Sequence, residues 1–108
     1  MKYLKTFELN KNLPESDDYV IMKSYFYNDD YYNYVNNSIG QVMWFVNKKS
    51  TILVRYDNIP NDLLHMFNKT FYRRKLEYYI VFQISNIKEF SKNKADLEAY
   101  LDAKKYNL

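Results

Sequence analysis

The sequence predicts an α+β domain of about five mostly antiparallel strands with two or three helices packed on the sheet. Three observations lead there. Residues 41–47 and 51–56 each alternate along the chain and are joined only by Lys48, Lys49 and Ser50, which nearly forces antiparallel pairing. Residues 76–84 alternate without a break, Leu76, Tyr78, Ile80, Phe82 and Ile84 on one side and Glu77, Tyr79, Val81 and Gln83 on the other. Apolar residues at helical spacing follow an Asn or Asp in three places, around residues 28, 61 and 93.

Taken in order, Lys2–Leu9 reads as a first strand, with Tyr3, Phe7 and Leu9 on one face. Residues 10–18 form a loop containing Pro14 and three acids. Tyr19–Tyr27 is a second strand, apolar on both faces. Asn28 or Asp29 then caps a short helix through Asn37, with Tyr31, Val35 and Ile39 at four-residue spacing. Gly40 follows, where a left-handed C-cap would use it. After the 41–56 hairpin and a break at 57–61, Asn61 caps a helix from Asp62 to about Phe71, its inner arc being Leu63, Leu64, Met66, Phe67 and Phe71. The strand at 76–84 is expected centrally in the sheet. Ile87 and Phe90 suggest one short turn. Asn93, with Asp96 three residues on, caps a last helix whose inner stripe is Leu97, Tyr100 and Leu101.

The chain length of 108 residues suits a single domain, 1–108, able to bury one core without staples. Cysteine is absent, which removes disulfides, thiol catalysis and thiolate metal sites together. No apolar run approaches the roughly 20 residues that a bilayer span requires, and no secretory pattern opens the chain. The expectation is a cytoplasmic protein with no membrane partner, acting in a host cell. Tyr, Asn, Lys and Ile are abundant while Ala, Gly, Pro and Arg are scarce, the signature of AT-rich coding. That points to a low-GC bacterium, its phages or plasmids, or an AT-rich virus.

Catalytic motifs are missing. One glycine cannot build a phosphate loop, and the single histidine, His65, has no partner at metal-ligand or triad spacing. No catalytic residue, metal or cofactor is therefore assigned. Two segments stand out instead. The first runs from Tyr25 to Tyr34 and supplies Tyr25, Tyr27, Asp29, Asp30, Tyr31, Tyr32 and Tyr34. Adjacent side chains face different ways, so some of these rings must be exposed, and rigid aromatics beside acids are protein-binding chemistry. The second is basic. Residues 1–46 carry a net −2 and residues 47–108 a net +5. The densest run, Tyr72-Arg73-Arg74-Lys75, holds two of the three arginines, with Lys48, Lys49 and Arg55 as candidate neighbours.

The expected function is a small non-enzymatic binding protein that inhibits or modulates a host or defence macromolecule through the Tyr/Asp-rich surface. In style, though by no motif, the chain is similar to accessory proteins of phages and mobile elements. The alternative is a nucleic-acid-binding module built on Lys48, Lys49, Arg55, Tyr72, Arg73, Arg74 and Lys75. A homodimer that covers the aromatic segment is a further alternative, and a metal-free nuclease using Arg73 and Glu77 ranks last.

Overall fold

The computed structural model describes residues 13–24 and 29–106. Its elements are β1 (Tyr19–Met22), α1 (Asp29–Asn36), β2 (Gly40–Val46), β3 (Thr51–Tyr56), a 3-10 turn (Asn61–Met66), β4 (Asn68–Tyr72), β5 (Lys75–Gln83), a second 3-10 turn (Ile84–Asn86), β6 (Ile87–Ser91) and α2 (Lys94–Tyr106). The strands form one antiparallel sheet in the order β4-β5-β3-β2-β1-β6. The fold is α+β as expected, with six strands among the described residues rather than about five. No described helix is long and apolar enough to cross a membrane.

Strand alternation decides where the core lies. Val20 and Met22 of β1, Val42 of β2, Ile52, Val54 and Tyr56 of β3, and Ile80 and Phe82 of β5 all turn to one face. Tyr31 and Val35, four apart on α1, close over that face, and Leu63 and Phe67 seal its other end. Each such side chain, fully withdrawn from water, contributes about 1.5–3 kcal/mol. Ile21 points the opposite way and is equally buried, and α2 lies against β1 and β6. The acids Asp29 and Asp30 occupy the first turn of α1, where the helix dipole favours them.

Four expectations need correction. The helix expected at 62–71 stops at Met66, and Phe67 turns to extended backbone (φ −107°, ψ 146°) before β4. Pairing with β5 outweighs the helical spacing, and it carries Phe71 out of the core to 77% exposure. Residues 87–91 form a strand, not a turn. Its pairing with β1 is irregular: Ile87 faces Met22 but Glu89 faces Ile21, so Lys88 is the extra residue of a bulge. Gly40 does not cap a helix, since no glycine has positive φ. It opens β2, where a Cβ would collide with the Val54 side chain and crowd Tyr56 and the Arg55 carbonyl. The second expected strand is seen only as Tyr19–Met22. Its end at 25–27 and the strand at 2–9 lie outside the described residues.

Candidate nucleic-acid interface

The Tyr/Asp segment is divided by the helix it forms. Tyr31 is buried, 8% exposed, with its ring edge-on to Phe67 at 6.0 Å. Tyr34 is half-buried, packs on Tyr56 and Phe67, and donates its hydroxyl to the Asp57 carbonyl at 3.0 Å. Burial pushes both hydroxyls above the ordinary phenol range, and that of Tyr56 furthest. Tyr31 and Tyr34 therefore serve the core. Asp29, Asp30 and Tyr32 remain exposed, while Tyr25 and Tyr27 lie outside the described residues.

The basic residues sit at the tips of two hairpins, at opposite ends of the sheet. Tyr72 pairs with Lys75, leaving Arg73 and Arg74 as a two-residue turn. Both have positive φ, 54° and 68°. That is the pattern of a type I′ turn, whose usual occupants are Asn and Gly. A side chain forced into this region costs roughly 1–2 kcal/mol per residue. The β2–β3 turn repeats the feature, with Asn47, Lys48 and Lys49 at φ 51°, 56° and 69°. Each hairpin thus offers two adjacent cations on a strained tip.

The β4–β5 hairpin does not project straight into solvent. Trp44 is in register with Leu53, and Leu53 with Val81. Tyr72 is in register with Lys75. Lys75 and Val81 are six positions apart on β5, roughly 20 Å along a flat strand. Yet the Trp44 and Tyr72 ring centroids are only 5.4 Å apart. The hairpin must curl back over the face that carries Trp44, making that face concave.

The curl is clasped by an ion pair between residues 56 positions apart. Arg73 Nη1 meets Asp17 Oδ1 at 3.1 Å, and Nη2 donates to Oδ2 at 3.1 Å. The carboxylate, by hydrogen bond and then by charge, raises the guanidinium further above its ordinary value. Arg73 also lies 4.8 Å from the Tyr72 ring centroid. The pair is open to water, with side chains 63% and 49% exposed. A pair so open to water adds little to stability. That does not offset two left-handed arginines, so stability alone does not explain why arginine stands there.

Beneath the arch, Arg55 is fully engaged. It donates to Glu77 at 3.3 Å and to Asp57 at 3.3 Å, and it meets the Gln41 side-chain oxygen. Glu77 is buried, so this cluster is structural and Arg55 is not free to hold a ligand. Arg74, Lys75, Lys48 and Lys49 are exposed, and among the described residues none forms an ion pair; Lys49 sits 6.0 Å above the Phe45 ring. Asp18, beside Asp17, has a separate task, accepting from the Glu15 backbone at 2.8 Å and pairing with Lys92 at 3.2 Å. His65 is exposed.

The basic tip at 72–75 was therefore visible in the sequence. Trp44 and Asp17, which the curl brings to it, carry no such signal, because nothing local in the sequence connects positions 17, 44 and 73. No family model matches the chain, and no curated protein or solved structure matches it.

Proposed function

We propose that the chain is a non-enzymatic module that binds single-stranded nucleic acid across the concave face of its sheet. The observation that carries this reading is the placement of Trp44, 39% exposed, and Tyr72 beside a dibasic turn whose arginines occupy a conformation that disfavours them. Bases stack on the two rings, and every base has a face to stack. Arg73, Arg74 and Lys75 hold phosphates on one side of the rings. Lys48, at the far end of β2, holds one on the other, while Lys49 lies over Phe45, on the side of the strand away from Trp44.

The test is binding of a fluorescein-labelled oligo(dT) followed by anisotropy. Four phosphate contacts give a slope of log affinity against log salt of about −3, so affinity falls roughly fiftyfold between about 50 and 200 mM salt. Trp44→Ala removes one stacked base, worth about 1–3 kcal/mol. Salt-insensitive binding, or a Trp44→Ala variant that binds as well as the parent, refutes the reading.

A second reading, inhibition of a host or defence protein, draws on a different surface. Phe71 and Leu76 are cross-strand partners at the β4 edge and are 77% and 45% exposed. An apolar pair at a sheet edge is protein-contact chemistry. Phe71→Ser should then abolish capture of a protein partner and leave oligo(dT) binding intact. Loss of oligo(dT) binding instead would assign that edge to the nucleic-acid site.

A further inference from the structure

We infer that Asp17 is a built-in competitor for ligand phosphate, holding the Arg73 guanidinium in the free protein and yielding it when a phosphodiester binds. This rests on the nucleic-acid reading and assigns the regulation of that site.

The contact is a fork, with two parallel 3.1 Å contacts between the guanidinium and the carboxylate. A phosphate presents the same pair of oxygens to arginine, so Asp17 occupies the geometry that a ligand would use. Both side chains face water, and the exchange uncovers no core. The carboxylate is placed by a backbone that does not depend on the fork. Asp17 N donates to the Val42 carbonyl at 2.8 Å, and Gln41 Nε2 donates to the Asp17 carbonyl at 2.9 Å. At φ 76°, Asp17 is itself held in the left-handed region. The competitor is rigid, and the arginine on its hairpin tip is the part that moves.

Exchange has a second consequence. With the fork closed, the Trp44 and Tyr72 centroids are 5.4 Å apart. A base lodged between two rings needs them roughly 7 Å apart, two stacking distances of the spacing found along a nucleic-acid strand. Releasing Arg73 lets the tip lift and opens that slot, so phosphate capture and base stacking are linked. Asp17 thereby sets a threshold, because weakly held anions do not displace it.

Three variants test this with the full chain and labelled oligo(dT). Asp17→Asn removes the charge, keeps both backbone hydrogen bonds, and suits positive φ, which Asn adopts more readily than most residues. Asp62→Asn removes the same charge from the 3-10 turn and leaves the Arg73–Asp17 fork untouched. Arg73→Gln removes the contested cation. The expected result is that Asp17→Asn binds about two- to fivefold tighter than the parent at low salt, the equivalent of freeing one exposed ion pair. Asp62→Asn should change affinity less than about twofold, and Arg73→Gln should bind more weakly than the parent. Without ligand, Trp44 emission in Asp17→Asn should be more accessible to a soluble quencher. If the parent binds and Asp17→Asn is no tighter than Asp62→Asn, the competitor role is overturned and the binding reading stands. If neither the parent nor Asp17→Asn binds, both fall. Binding by Asp17→Asn alone supports the role in its strongest form.

Discussion

Replacing Arg73 by Asn and Arg74 by Gly should stabilise the protein while weakening its binding. Both residues hold positive φ, 54° and 68°, in a two-residue turn. At roughly 1–2 kcal/mol each, the two arginines cost about 2–4 kcal/mol relative to residues suited to the turn. Asn-Gly relieves most of that. Against it, Gly adds about 0.4–1 kcal/mol of unfolded-chain entropy. Losing the exposed Arg73–Asp17 fork takes back only a little. The net gain is about 1–2 kcal/mol, or roughly 4–10 °C in Tm for a domain of this size. Urea unfolding followed by the single tryptophan, Trp44, reads it directly. The same variant should lose most of its affinity for oligo(dT). An unchanged or lower stability would show that the arginines are no burden in this turn. The argument that they are retained for binding would then fail.

Other expectations follow from the same geometry. Gly40→Ala puts a methyl group into the Val54 side chain and should cost about 1–3 kcal/mol in urea unfolding, unless the two central strands can separate. The Tyr56 hydroxyl is buried with no hydrogen-bond partner among the described residues, so Tyr56→Phe should leave stability unchanged or raise it by up to about 1 kcal/mol; a loss of that size would reveal a partner. Lys88, part-buried in the β6 bulge beside Lys104, is lowered to about 8 by desolvation and then by its neighbour. Between that value and the ordinary lysine range the unfolded chain binds the extra proton, so stability should rise as pH climbs through this window. Lys88→Met should flatten that rise, and an unchanged profile would rule the lysine out. Above the ordinary phenol range the trend should reverse, because burial keeps Tyr31, Tyr34 and Tyr56 neutral only in the folded protein.

The parts of the fold legible in the sequence were those with local signals. The β2–β3 hairpin follows from alternation on both sides of a short connection, β5 from its unbroken period of two, and α2 from Asn93 with the stripe at Leu97. β4 was missed because Leu63, Met66, Phe67 and Phe71 also fit a helix. The Thr70-Phe71-Tyr72 run one turn before β5 was the signal for a strand. β6 was missed because its bulge at Lys88 turns Ile87 and Phe90, three apart, to the same core, which imitates helical spacing. The basic tip was legible as composition. Its pairing with Asp17 and Trp44 arises from the coiling of the sheet, and no local pattern encodes that. Tyr31 and Tyr34 pack into the core, and the inward stripe of Tyr31 and Val35 on α1 is legible in the sequence, but the density of tyrosine there masks its phase.

The most direct test of the central claim is the affinity of the parent and of Trp44→Ala for labelled oligo(dT), measured across salt. The account predicts a slope of about −3 for the parent and a loss of about 1–3 kcal/mol for Trp44→Ala, with the variant's slope unchanged because the phosphate contacts remain. Equal affinities for the two proteins, or a parent whose binding ignores salt, would contradict it.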